Sequence, residues 1–96
     1  MSASGDITCG VSTFFADKST GKIGIGTAVP AGLIHIKEGD SGLSAPNAHA
    51  DTLYLENSGN AGVTIATPNS NTGYLTFADP DDDNIGQIIY LSLIHI

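Results

Sequence analysis

Punctuation by glycine and proline constrains this chain more than any other feature. Twelve Gly and four Pro are spread through 96 residues. They leave no window of about eleven residues with the ~3.6-residue apolar spacing of a helix. Between the breaks lie short runs rich in β-branched and aromatic residues, the types that fit a pleated surface. Hydrophobic residues still make up 41% of the chain, though aromatics are only 6%, and that apolar content argues against disorder. The pattern predicts an all-β chain of short antiparallel strands and hairpins, a β-meander. A chain of this length buries only ~60–65% of its unfolded surface. Part of its burial is therefore expected from neighbouring subunits or from further chain.

Residues 11–17 read as a first strand, Lys18-Ser19-Thr20-Gly21 as a turn, and residues 22–26 as a second strand, together a hairpin. Residues 33–37 form the next strand. Residues 38–50 are the longest polar interruption, with Glu38, Asp40, Pro46 and Asn47, and read as an exposed loop. From residue 51 the rhythm is strand, polar turn, strand, with strands at 51–57, 62–67, 74–78 and 85–90. Alternation places Leu53, Leu55, Val63, Ile65, Leu75 and Phe77 on one inward face. Tyr54 and Glu56 take the other, and His35 points away from the face that Ile34 and Ile36 cover. The organisation expected is a hairpin and a glycine-rich module over 1–37, a loop over 38–50, and an antiparallel meander over 51–90. A one-sided sheet of this kind cannot hide its apolar face alone. Either a second sheet covers it, or identical chains do.

Charge narrows the function. Residues 1–50 carry Asp6, Asp17, Glu38 and Asp40 against Lys18, Lys22 and Lys37, a net of −1. Residues 51–96 carry Asp51, Glu56, Asp79, Asp81, Asp82 and Asp83 with no base, a net of −6. No Arg is present. A nucleic-acid partner needs a basic patch to replace phosphate counterions, and an anionic membrane needs the same; neither partner is expected. Cys9 is the single cysteine and can close no intrachain disulfide or cysteine cage. It reads as a small, semi-buried side chain. There is no apolar stretch long enough for a transmembrane helix, and the N-terminus lacks the basic and apolar regions of a secretory signal.

Several clusters have a chemical look and a plainer reading. Gly24-Ile25-Gly26-Thr27 lacks phosphate-loop spacing and no helix follows it; close backbone approach within a strand is the reading taken. Asp79, Asp81 and Asp83 match the first three ligand positions of an EF-hand loop. Asn84 then stands where the turn Gly belongs, and Tyr90 where the bidentate Glu belongs. The cluster is read as a solvated acidic turn joining two strands. His35, His49 and His95 lie far apart with no metal-binding spacing. No nucleophile–base pair stands out. No catalytic, cofactor-binding or metal-ligating residue is assigned, no cofactor is expected, and the chain reads as no enzyme.

The run Gly21-Lys22-Ile23-Gly24-Ile25-Gly26-Thr27-Ala28-Val29-Pro30, leading into Leu33-Ile34-His35-Ile36, resembles a module of tailed-phage fibres. That module reads Gly-x-Val/Ile-Gly-Ile-Gly-Thr-x-x-Pro, a short gap, then Leu-x-Val/Ile. It recurs in fibres and in bacterial surface proteins that end in an endosialidase-type intramolecular chaperone. The stretch from Asn71-Thr72-Gly73-Tyr74-Leu75-Thr76-Phe77-Ala78-Asp79, through Asp81-Asp82-Asp83, to Ile85-Gly86-Gln87-Ile88-Ile89-Tyr90 is similar to a later part of the same proteins. The resemblance covers roughly residues 13–90 in family order. It implies an elongated, β-rich, homotrimeric shaft in the virion tail, made in the host cytoplasm and linking the virion to a receptor-binding tip. Implied partners are two further copies of the chain, other virion tail proteins and, through the full-length protein, a host surface glycan. The chaperone and its self-cleaving Ser would lie further C-terminal, so no catalytic residue carries over.

After Tyr90 the chain departs from that pattern. The family continues with Asp-His and a polar turn, whereas this chain reads Leu91-Ser92-Leu93-Ile94-His95-Ile96. That hexapeptide resembles an in-frame translation of the transposon-end adapter used in sequencing libraries. Residues 91–96 are therefore read as a non-native tail on an incomplete fragment, against the alternative of a genuine terminal strand. Three functions follow from the whole sequence. The first is a structural shaft segment. The second is a bacterial or phage surface adhesin or carbohydrate-binding module presenting the 38–50 loop. The third is a piece of a tailspike enzyme whose catalytic residues lie elsewhere.

Overall fold

A computed structural model describes residues 5, 7–10 and 12–91, without the side chains of 84 and 85. The predicted strand at 11–17 thus begins on a residue outside the described ones, and all of the predicted tail except Leu91 falls outside them. The described residues form seven strands and no helix, in two units, residues 1–62 and 63–96. The all-β expectation holds.

The first unit is a five-stranded sheet in the order β1 (Ile7–Cys9), β2 (Phe14–Asp17), β3 (Lys22–Ile25), β4 (Ile34–Lys37), β5 (Leu53–Glu56). β1, which alternation alone did not reveal, pairs antiparallel with β2 across a turn where Gly10 takes a φ of 68°. β2 and β3 form the predicted hairpin. Asp17 fastens its turn: Oδ1 accepts from the Ser19 amide and hydroxyl, at 2.9 and 2.7 Å, and Oδ2 accepts from the Thr20 hydroxyl at 2.8 Å. The Ser19 hydroxyl bond is the main cause of a lowered Asp17 pKa.

Beyond β3 the sheet becomes parallel, and this corrects the meander. β3 pairs parallel with β4, and β4 parallel with β5. The strand at Leu53–Glu56 therefore belongs to the first unit's sheet rather than to a 51–90 meander. The physical reason lies in the connections. Residues 26–33 and 38–52 each double back across one face and return the chain to the same end of the sheet, which makes each strand plus its connection one turn of a coil. The turns are tied at their edges by backbone bonds, Ile23 N to Leu33 O at 2.8 Å and Ile34 N to Thr52 O at 3.0 Å. Their corners pack backbone on backbone. A Cβ on Gly26, whose φ is 84°, would strike the Lys37 carbonyl oxygen, and one on Gly39 would meet the Ser58 backbone nitrogen at 2.9 Å.

The second unit contains a hairpin of β6 (Thr72–Asp79) and β7 (Asp82–Leu91). The segment 62–67, predicted as a strand, pairs with nothing in a ladder. It runs beside the hairpin instead, with Ile65 Cγ2 3.6 Å from where a Gly73 Cβ would stand. Alternation measures which side of a strand is apolar; it supplies no partner edge. The predicted six-residue inward face is consequently divided among β5, an irregular segment and β6.

Burial in the first unit is the reverse of the prediction for β5. Leu53 is 54% exposed, whereas Tyr54 is 9% and Glu56 5% exposed. The two connections of the coil fold over the polar face, and the apolar face stays open. His35, predicted to lie opposite Ile34 and Ile36, does so, and is the most enclosed of this group at 3%.

Candidate functional site

The in-register pairing of parallel strands brings the site together. Gly24, His35 and Tyr54 occupy the same position on β3, β4 and β5, and Lys37 lies opposite Glu56. Strands run ~4.8 Å apart, close to a ring-stacking distance. The His35 and Tyr54 rings accordingly stack with centroids 4.3 Å apart and planes 14° from parallel.

Glu56 is the hub. Its Oε2 accepts from the Ser41 amide at 2.9 Å and the Ser41 hydroxyl at 2.8 Å, and its Oε1 lies 2.8 Å from His35 Nε2 and 4.0 Å from Lys37 Nζ. On the far side of the imidazole, the Ala31 amide donates to His35 Nδ1 at 3.1 Å. That amide fixes the tautomer: Nδ1 is the acceptor, so Nε2 carries the proton and donates it to Glu56. The Ser41 bonds, followed by those of His35 and the Lys37 charge, hold the Glu56 carboxyl down at about 2, against burial, which raises it.

The residue types are those of a Ser–His–acid triad, but the wiring differs. Ser41 bonds to the carboxylate and not to the imidazole. A base for a nucleophile must be able to take its proton. A carboxylate held at about 2 is a feeble base at neutral pH. His35 cannot take a proton on Nδ1 without opposing the Ala31 N–H. What the arrangement does is tie loop 38–50 to β5 through Ser41, and β5 to β4 through His35.

Comparison of the chain with family models, curated proteins and solved structures finds no match. The reading of the site thus rests on its geometry.

A cleft of about 380 Å³ adjoins the network, lined by Thr27, Val29, Lys37, Asp40, Tyr54 and Glu56 among others. The Tyr54 hydroxyl is buried and has no hydrogen-bond partner. Tyr54→Phe keeps the ring stack and removes an unsatisfied group, so thermal unfolding is expected to show unchanged stability or a gain of up to ~1 kcal/mol. A loss of that size would mean the hydroxyl is bonded after all.

The other candidates of the sequence reading are not gathered here. Cys9 is exposed on β1. His49 lies in the 38–50 loop, and His95 falls outside the described residues. Among the described residues no group of three His, Cys, Asp or Glu side chains is placed to hold a metal ion. The acidic segment is shorter as a turn than predicted. Asp79 and Asp82 are already paired strand residues, leaving a two-residue connection, Pro80-Asp81. Asp79 Oδ1 turns back to accept from the Asp81 and Asp82 amides at 3.0 and 3.2 Å. Asp79→Ala should therefore weaken the hairpin by ~1 kcal/mol, read as faster amide exchange along β6 and β7. Asp79→Asn, which keeps the acceptor, should leave exchange near the parent rate.

The signal for the network was present but misread. Leu53-Tyr54-Leu55-Glu56 alternates cleanly, and alternation gives no indication of which face a loop will cover. The repeated hydrophobic-x-hydrophobic triplets Ile23-Gly24-Ile25, Ile34-His35-Ile36 and Leu53-Tyr54-Leu55 are the feature that marks the in-register coil.

Proposed function

We propose that this chain is a structural segment of a phage tail fibre or tailspike shaft, one of three identical chains between the virion and the receptor-binding tip. The observation that carries the reading is the coil over β3, β4 and β5. Successive turns stack in parallel register, with glycines where one turn's backbone meets the next. Such an element extends by addition of turns and holds its ends at a fixed separation. Its interior hydrogen bonds are consumed in fastening turn to turn, as befits a shaft. The glycine-rich module that resembles fibre shafts is the segment that forms β3 and its corner at Gly26.

A second reading, a carbohydrate-binding module, draws on the cleft beside Tyr54, whose wall includes Asp40 from the 38–50 loop. The two separate in one pair of experiments. Sedimentation velocity of the shaft segment should give the mass of three chains, and a glycan array should give no selective binding. A monomer that retains a defined glycan would favour the module.

A further inference from the structure

The 38–50 loop is fastened to the sheet through a single residue. Its ends are pinned by backbone bonds, Glu38 N to Glu56 O at 2.9 Å at one end, Leu33 N to Asp51 O at 3.1 Å and Ile34 N to Thr52 O at 3.0 Å at the other. Between those ends, among the described residues, two hydrogen bonds leave the loop, and both run from Ser41 to Glu56 Oε2. The other bonds of 39–50 are internal. The Gly42 amide donates to Asp40 Oδ1, the Leu43 amide to Ser41 Oγ, the His49 amide to Asn47 Oδ1 and the Ala50 amide to Asn47 O. All of the loop except Gly39 and Pro46 is exposed, so little apolar burial holds it down. A segment with few buried contacts and few outside bonds lies at the low end of local stability.

We propose that Ser41 and Glu56 form an acid-released latch: protonation of the Glu56 carboxylate frees the 38–50 loop while the parallel coil beneath it stays closed. An ionised carboxylate accepts only, and its hydrogen bonds are stronger than those of a neutral acceptor. A proton removes the charge and turns one oxygen into a donor. On Oε2 it opposes the Ser41 amide, and on Oε1 it opposes the His35 Nε2–H. The coil has no such weakness. Its ladder bonds and the pinned ends of the loop join backbone to backbone and hold no titratable group. Release lifts Asp40, Leu43 and Ser44 from the wall of the cleft and leaves Lys37, Tyr54 and Glu56 open. The latch lies within one chain and is independent of the shaft reading.

The groups around Glu56 set the pH at which it lets go. His35 and Lys37 face it from β4 and Ser41 from the loop. Asp40 shares the cleft, and Tyr54, two residues earlier on β5, stacks on His35. With the loop fastened, the two Ser41 bonds hold the carboxyl at about 2; freed from them, it returns toward its ordinary 4.5. Closure is thus fully favoured above about pH 4.5 and weakens as the pH falls toward about 2. Within that window each opening takes up one proton, so the opened fraction rises by up to about tenfold per pH unit.

Amide hydrogen exchange on the 96-residue chain reads the latch directly, because the Ser41 amide is one of its two bonds. Below about pH 4.5 the protection of that amide, relative to its intrinsic exchange rate, should fall by up to about tenfold per pH unit. The Ile23 and Ile34 amides, bonded to Leu33 O and Thr52 O, should keep theirs. Glu56→Gln should abolish the pH dependence at Ser41. Ser41→Ala, a change in an exposed loop that leaves the Glu56–His35 bond in place, should lower protection at position 41 already at neutral pH. Asp40→Asn keeps the acceptor for the Gly42 amide and should leave the window where it is. Protection at Ser41 that does not change with pH overturns the latch. So does simultaneous loss of protection in the loop and the sheet, which is global unfolding, and so does a window that vanishes in Asp40→Asn, which puts the deciding proton on Asp40.

Discussion

Gly26→Ala is expected to abolish the fold of the first unit. The residue combines two demands. Its φ of 84° is a conformation that costs a Cβ-bearing residue ~1–2 kcal/mol. Its missing Cβ is also what lets the Lys37 carbonyl approach, since a methyl there would collide with that oxygen. Backbone cannot give way as a flexible side chain would, so the turns of the coil must part. The combined loss should be about 3 kcal/mol or more, a large share of the stability of a small domain. Gly42→Ala is the control. Gly42 has a φ of 90° with nothing within 4 Å of the position of its Cβ, so only the conformational strain applies and ~1 kcal/mol should be lost. Denaturant melts of the two variants separate crowding from strain. Equal losses would mean that the corners do not pack as described.

The second large effect belongs to Glu56. Its pKa falls from an ordinary 4.5 to about 2 on folding, chiefly through the two Ser41 bonds. A carboxyl depressed in this way stabilises the folded state above its unfolded pKa and ceases to do so as the pH falls through the folded one. Thermal stability should therefore be full at neutral pH and decline between about pH 4.5 and about pH 2. Glu56→Gln removes that dependence and should also melt lower at pH 7. Its amide can accept from Ser41 only by turning an NH₂ toward the His35 Nε2–H, donor against donor. Melting curves from pH 7 to 2 should show a sloping acid limb for the parent and a flatter one for the variant. Limbs of equal slope would place the acid sensitivity elsewhere.

Strand positions were largely legible and partner edges were not. The β2–β3 hairpin follows from Lys18-Ser19-Thr20-Gly21, whose turn chemistry is local. The parallel order of β3, β4 and β5 depends on where the fifteen residues between Lys37 and Leu53 lie, and no local pattern fixes that. The same loop decides the site. Ser41 is twelve residues before Leu53, in a stretch that reads as plain polar linker, and yet its two donors select Glu56 for the interior. Once Glu56 and His35 are inside, period-2 alternation forces Leu53, Leu55, Ile34 and Ile36 out. A rule that places apolar residues inward fails here because the hydrogen bonds of Ser41 and His35 to Glu56 decide which face the loop covers.

The central claim is that this chain completes its burial only with copies of itself. The dependence of melting temperature on chain concentration tests it most directly, because association stabilises by mass action and unimolecular folding does not. The account predicts a melting temperature that rises steadily as the chain is concentrated. A sharp, cooperative transition at one temperature across the whole range would contradict it.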